Sequence, residues 1–164
     1  DDLVWWLGAT RAAVRAALAD LGAVAVTLDA HPGQPEAATR GWLLASDLDP
    51  VDPPEPGAAL LPVLDPTTMG WTHRAFYLHP HREEVFDRGG NAGTTAWWDG
   101  RVVGGWVQRP DGSVQVALLH DVGAEAAAAL DREADRLARF LDGEVVGTVY
   151  PSPLMRRQRA STSE

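Results

Sequence analysis

Two arginines stand one helical turn apart near the start of the chain. Arg11 and Arg15 belong to a segment, residues 11–21, whose apolar residues recur at helical spacing and form one stripe. The opposite face combines both arginines with the small residues Ala12, Ala16 and Ala19. Small side chains let a helix approach a groove, and guanidinium groups bind phosphates or a guanine edge. The pattern predicts a DNA-contacting helix, and its alternative is an ordinary solvated face.

Three further arginines are candidates for phosphate contact because their sequence neighbours are mostly apolar. They are Arg74, Arg101 and Arg109. The arginines at 132, 136 and 139 alternate instead with acidic residues at 131, 133 and 135, so pairing along one helix explains them better. The sequence therefore nominates five DNA-binding residues: Arg11, Arg15, Arg74, Arg101 and Arg109.

Histidines, cysteines and known catalytic motifs point to no active site in this stretch of chain. Cysteine is absent, and the spacing of His73, His79 and His81 matches no strong zinc pattern. His120, at the end of a predicted strand, is expected to satisfy a hydrogen bond rather than act as a base. No nucleophile elbow, phosphate-binding loop or dinucleotide fingerprint occurs. We expect no catalytic residue, no metal and no cofactor here.

The acidic composition limits how the chain could contact DNA. Its formal net charge is −9, and residues 1–58 carry three arginines against nine acids. Affinity for DNA comes largely from cations that displace counterions, so any contact with double-stranded DNA must be local. No apolar run approaches the roughly 20 residues of a membrane span, and the first residues lack the basic start of a signal peptide. These features predict a cytoplasmic protein with no membrane partner.

Residues 1–48 have the pattern of a partial winged helix-turn-helix. A short helix with Leu3, Trp6 and Leu7 on one face is followed by a helix over 11–21, capped by Thr10 and closed by Gly22. Strands at 24–28 and 41–45 enclose a long loop rich in proline and glycine. A winged helix normally begins with another helix, so we expect the chain to start inside a domain.

Residues 49–58 contain four prolines and predict a semi-rigid linker to a second domain over 59–153. Two Asp-Gly turns, at Asp99-Gly100 and Asp111-Gly112, divide alternating apolar runs into a three-stranded meander over 94–98, 101–109 and 113–119. An amphipathic helix over 124–141, preceded by Asp121 as its cap, and a last strand over 144–150 follow. Residues 154–164 are expected to be a disordered tail.

Three pieces of the second domain together resemble a known family. They are residues 61–71 (Leu-Pro-Val-Leu-Asp-Pro-Thr-Thr-Met-Gly-Trp), Asn91-Ala92-Gly93, and residues 99–106 (Asp-Gly-Arg-Val-Val-Gly-Gly-Trp). They resemble the C-terminal region of the winged-helix DNA-binding family that includes the AlkZ and YcaQ interstrand-crosslink DNA glycosylases. The resemblance extends from about Leu3 to Pro153. It implies tandem winged helices followed by a β-rich, barrel-like domain, so N-terminal winged-helix domains of the same chain are expected partners.

The resemblance also implies a chemistry that this stretch does not itself carry. Such enzymes cut the N-glycosidic bond of alkylated purines, and a Gln-x-Gln or Gln-x-Asp motif holds water against the cationic sugar. Gln108 and Gln115 are too far apart to form that motif. We therefore expect an α+β protein in which a partial winged helix-turn-helix is followed by an antiparallel β-rich, barrel-like domain with one long amphipathic helix. This protein would form the C-terminal DNA-binding portion of a glycosylase that excises alkylated or crosslinked purine bases. A non-catalytic DNA-binding or regulatory protein and a structural, protein-binding module are the alternatives.

Overall fold

The computed structural model describes residues 1–29 and 39–161. They form two compact units, one of Asp1–Glu55 with Gly70–His79 and one of Pro56–Met69 with Pro80–Glu164. The first division falls inside the predicted linker over 49–58. The return of Gly70–His79 to the first unit has no counterpart in the predicted domain boundaries, because a linear division by composition cannot detect contacts between distant segments.

Helices and antiparallel strands make up both units, which confirms the α+β class. In chain order, the described elements are α1 (Asp2–Leu7), α2 (Arg11–Asp20), β1 (Val24–Leu28), β2 (Thr39–Leu43), β3 (Ala58–Leu61), α3 (Pro66–Met69), α4 (Ala75–Leu78), α5 (Arg82–Val85), β4 (Thr95–Trp98), β5 (Arg101–Gln108), β6 (Val114–Leu118), α6 (Gly123–Leu141) and α7 (Pro153–Ala160). A 3-10 turn at Ala45–Asp47 follows β2.

Local signals determine both ends of α2. The Thr10 hydroxyl accepts a hydrogen bond from the Ala13 N–H at 3.2 Å, which satisfies one of the free donors of the first turn. At the other end Gly22 has φ 62, and the Ala23 N–H donates to the Leu18 carbonyl. The cap and stop predicted from the sequence are therefore confirmed, with the helix one residue shorter than expected.

A two-stranded antiparallel pair follows the two helices. β1 and β2 pair with Val26 opposite Gly41. The second strand is two residues earlier than predicted at each end. The long loop between them, which is rich in proline and glycine, lies largely outside the described residues.

The second unit is built on an antiparallel sheet in the order β3-β4-β5-β6. Asp99 and Gly100 link β4 to β5 with φ values of 47 and 73, the two positive values that a type I′ turn requires. β5 and β6 pair in turn, with Trp106 opposite Val116. The meander predicted from the two Asp-Gly turns is therefore confirmed.

The expected barrel-like closure does not occur. Within the described residues β3 and β6 are the two edges of an open sheet, with no hydrogen-bonded pairing between them. Four strands are too few to curl back on themselves, so the sheet is covered rather than closed. α6 packs against β3, β4 and β6, and its Leu130 meets Ala96 and Val103 in the core. The long amphipathic helix predicted over 124–141 is therefore present, one residue longer at its start.

The C-terminal part of the chain differs from the expectation in two places. Residues 144–150 form no strand. The Gln108 side chain instead binds the first three of them, donating to the Glu144 carbonyl and accepting from the Val146 N–H. The predicted disordered tail forms α7 up to Ala160. The Ser152 hydroxyl caps this helix, and Leu154 and Met155 are buried. Residues 162–164 of that tail lie outside the described part.

Two smaller differences concern helices. α3 and α4 form in a stretch, 66–78, to which the sequence pattern assigned no helix. Asp121 does not occupy the N-cap position of α6, which is Val122, but its carboxylate accepts a hydrogen bond from the Gly123 N–H at 2.9 Å. None of the described helices is long and apolar enough to cross a membrane.

Candidate nucleic-acid interface

α2 presents Arg11 and Arg15 on its exposed side. Val14 and Leu18 are its half-buried residues, and no α2 residue is fully buried. Because Arg11 and Arg15 are four residues apart, their side chains lie next to each other along the helix surface. The structure therefore brings together the two arginines that the sequence assigned to one DNA-facing side.

An acidic neighbour partly neutralises the first of these arginines. Arg11 Nη2 lies 3.1 Å from a carboxylate oxygen of Asp1, and both side chains are well exposed. The other oxygen of Asp1 is 3.7 Å from His73 Nε2. An exposed ion pair of this kind contributes little energy and is easily exchanged for another anion. In the described part of the chain Arg15 has no ion pair, so it is the more available cation of the two.

Arg74 lies against the aromatic residues of its own unit. Its guanidinium carbon is 5.7 Å from the centre of the Trp5 ring, a cation–π arrangement. Burial raises the pKa of Tyr77 to about 12, although the charge and hydrogen bond of Arg74 act in the opposite direction. These contacts give Arg74 a structural use, which weakens the argument that it contacts phosphate.

The backbone that carries Arg74 is fastened to α1 within the first unit. One carboxylate oxygen of Asp2 accepts hydrogen bonds from the N–H groups of Thr72 at 2.6 Å and His73 at 3.1 Å. Burial alone would raise the pKa of Asp2, but these N–H donors outweigh it and hold the pKa below its usual value. The link explains why Gly70–His79 belongs to the first unit.

Arg101 and Arg109 lie at the two ends of β5 in the second unit. Arg101 is half-buried and pairs with Trp98 across the first turn. Arg109 donates a hydrogen bond to the Gln115 side chain, beside a shallow surface that Asp111 and Asp131 also line. Acidic side chains therefore reduce the positive potential around Arg109.

The five nominated arginines consequently divide between the units, with Arg11, Arg15 and Arg74 in the first and Arg101 and Arg109 in the second. Their role in DNA binding stays a prediction. A second group of arginines was not nominated from the sequence, because its segment was predicted to be a disordered tail. These residues are Arg156, Arg157 and Arg159 of α7, and the signal for their helix was Ser152-Pro153, a cap followed by a proline at the first helical position.

Gln108 and Gln115, the two glutamines weighed for the catalytic motif, both form hydrogen bonds through their side chains. The Gln108 amide bridges the backbone of Glu144 and Val146, as described above, and the Gln115 oxygen accepts from Arg109. Their side chains are therefore used within the second unit.

His81 and His120 form a direct pair in the second unit. His81 Nε2 lies 2.9 Å from His120 Nδ1, and the ring planes are inclined by 10° with centroids 4.9 Å apart. The nitrogens are much closer than the centroids, so the rings meet edge to edge and one N–H donates to the other nitrogen. His120 thus satisfies a hydrogen bond as predicted. Across residues 1–29 and 39–161 no group of three or more histidine, cysteine or acidic side chains is placed to hold a metal ion.

Comparison with solved structures defines the fold class. The Streptomyces sahachiroi DNA glycosylase AlkZ matches with a TM-score of 0.60 and 23% sequence identity over 84% of this chain. The aligned region is 36% of that protein's chain, so the present chain spans little more than a third of its length. At this identity the likeness shows the fold alone.

A family model for AlkZ-like DNA glycosylases matches residues 1–140. The chain therefore belongs to the AlkZ-like DNA glycosylase family, which confirms the resemblance drawn from residues 61–71, 91–93 and 99–106. No curated protein matches the chain. α7 lies beyond the matched residues.

Proposed function

We propose that this chain is the C-terminal, DNA-binding portion of a glycosylase that excises alkylated or crosslinked purine bases. The observation that carries the proposal is the family match over residues 1–140. The catalytic residues would lie outside the chain, on N-terminal winged-helix domains of the same protein.

In this proposal the first unit is the latter part of a winged helix. Two consecutive helices, α1 and α2, precede the antiparallel pair of β1 and β2, which is the order of a helix-turn-helix followed by its wing. α2 would take the position of the recognition helix. Its exposed Arg11 and Arg15 would contact the DNA backbone or groove, and Arg101 and Arg109 would add phosphate contacts from the second unit.

Binding of the chain to DNA is tested by the salt dependence of its affinity for a fluorescein-labelled undamaged duplex. Each phosphate that a cation neutralises adds about 0.9 to the slope of log K against log salt. We expect R11Q/R15Q to reduce that slope by about two. The matched control is R132Q/R139Q, which removes the same charge from the acid-rich α6 and should leave the slope unchanged. An unchanged slope in R11Q/R15Q would exclude α2 from the interface.

Catalysis is tested with the complete gene product, on a duplex that contains 7-methylguanine. Release of the free base is the expected result. If stoichiometric protein releases none, the glycosylase proposal is wrong. Binding without release would then favour a non-catalytic DNA-binding or regulatory protein. Failure to bind DNA as well would favour a protein-binding module.

A further inference from the structure

The C-terminal helix α7 is a docked part of the second unit. Leu154 and Met155 are buried, and α7 contacts β5 and α5. Arg157 forms an ion pair with Glu84 of α5, which fixes one side of the helix. Gly93 allows the close approach, because a Cβ at that position would come within 2.6 Å of the Ser152 side chain. α7 therefore holds its outward residues in defined positions.

The outward side of α7 carries positive charge. Leu154, Met155 and Gln158 form the inward face, whereas Arg156 and Arg159 are exposed and one turn apart. Arg159 also lines a small cavity beside Gln108, while the residue as a whole remains exposed. The geometry presents two guanidinium groups on one side of a fixed helix.

The charge composition of α7 differs from that of the other described helices that contain arginine. α2 includes Asp20, α5 includes Glu83 and Glu84, and α6 alternates arginines with four acidic residues. Pro153–Ala160 contains three arginines and no acidic residue. In a chain of net charge −9, α7 would therefore repel a phosphate backbone less than α2, α5 or α6 would.

We propose that Arg156 and Arg159 of α7 bind the phosphate backbone of duplex DNA and form a second contact surface beyond the part of the chain that the family model matches. The inference rests on the proposed DNA binding. Arginine suits this role because its planar fork of donors fits phosphate oxygens. Contacts of this kind carry no sequence information, so they would strengthen binding and help to fix the orientation of the second unit on DNA.

The test measures binding of the chain to the same undamaged duplex between about 50 and 200 mM salt, the range over which phosphate contacts are most visible. R156Q/R159Q should bind more weakly and reduce the slope of log K against log salt by about two. R156K/R159K keeps both charges and should retain the wild-type slope. R132Q/R139Q is the matched control, since it removes two exposed arginines from α6 and avoids Arg136, which is paired with Glu133.

Each outcome decides the inference. A wild-type slope in R156Q/R159Q overturns it, and an equal loss in R132Q/R139Q also overturns it, because the effect would then be one of net charge. If the wild-type chain binds no duplex, the proposed DNA binding fails together with the inference. If R11Q/R15Q lowers the slope but R156Q/R159Q does not, only the inference fails. Circular dichroism checks that α7 remains folded, which the unaltered Leu154 and Met155 favour.

Discussion

Trp97 and Trp106 of the second unit are buried, whereas Trp5 and Trp6 of the first unit are 51% and 54% exposed. The buried indoles have polar partners. Trp97 Nε1 donates to the Thr95 hydroxyl at 2.8 Å, and Trp106 Nε1 donates to the Leu61 carbonyl at 2.9 Å. The same residue type therefore fills the core in one unit and remains at the surface in the other.

The difference extends to whole elements. Neither α1 nor α2 has a buried residue, while six consecutive residues of β5, Val102 to Val107, are buried on both faces of the sheet. Hydrophobic stabilisation grows with the apolar area removed from water. We infer that packing of the second unit dominates the stability of the chain, and that the first unit offers more surface for other molecules to contact.

The largest expected effect comes from truncating one leucine in each unit. Leu130 of α6 is 1% exposed and meets Ala96 and Val103, so L130A should lower the free energy of unfolding by about 2–5 kcal/mol. Leu7 of α1 is 64% exposed, so L7A should change the free energy of unfolding by no more than about 0.5 kcal/mol. Urea unfolding followed by circular dichroism measures both. Equal losses would remove the contrast between the units.

Features that depend on a single local signal could be predicted from the sequence. The Asp99-Gly100 turn, the Thr10 cap and the Gly22 stop each depend on residues within one turn, and all three were predicted. The order of α7 depends on its packing against distant residues such as Thr94, whose N–H contacts the Met155 sulfur, and the segment at 144–146 depends on hydrogen bonds to the Gln108 side chain. Ser152-Pro153 is a local signal for the start of α7, but the docking that orders this helix and the hydrogen bonds of the 144–146 segment cannot be read from a local pattern.

The candidate site shows the same limit. Helical spacing was enough to place Arg11 and Arg15 side by side. The contact between Arg74 and Trp5 joins residues about seventy positions apart, so apolar sequence neighbours suggested that Arg74 was available for phosphate. The exposed arginines of α7 were missed because the order of that helix comes from its docking onto β5 and α5.

Substitution of one glycine in each unit should give a smaller contrast. A Cβ at Gly104 in β5 would clash with the Ala117 carbonyl of the paired strand, which cannot move aside. G104A should therefore cost about 3 kcal/mol, the upper end for an overpacked core. Gly22 has φ +62 and open space around it, so G22A should cost only about 1 kcal/mol of local strain.

Thermal and urea unfolding of the two glycine variants provide the measurement. G147A is the control, because Gly147 belongs to the second unit but has nothing within 4 Å of its added Cβ. The stability of G147A should be close to that of the wild-type protein. A G104A protein as stable as G147A would show that β5 and β6 can separate without loss, and would contradict the close packing assigned to the second unit.

The smallest expected effect concerns a carboxylate in each unit that accepts backbone hydrogen bonds. The folded pKa of Asp2 is below its usual value, so the stability from its bonds to Thr72 and His73 is present above the unfolded pKa near 4 and is lost as pH falls through the folded pKa. We expect the loss to be about 1 kcal/mol or less, because the carboxylate is partly solvated. Amide hydrogen exchange at Thr72, corrected for intrinsic rates, should show protection that falls on acidification.

D2N cannot titrate and should abolish this pH dependence at Thr72 without affecting the second unit. Asp111 provides the counterpart, since its carboxylate accepts from Ser113 only two residues away and its pKa is lowered by the Ser113 hydrogen bonds. D111N should alter exchange at Ser113 alone. The Asp2 carboxylate instead links α1 to residues about seventy positions later in the chain. Its replacement in D2N should therefore raise amide exchange through much of Gly70–His79. Exchange confined to Thr72 and His73 in D2N would show that the aromatic contacts of Trp5, Trp71 and Phe76 hold that segment without the carboxylate.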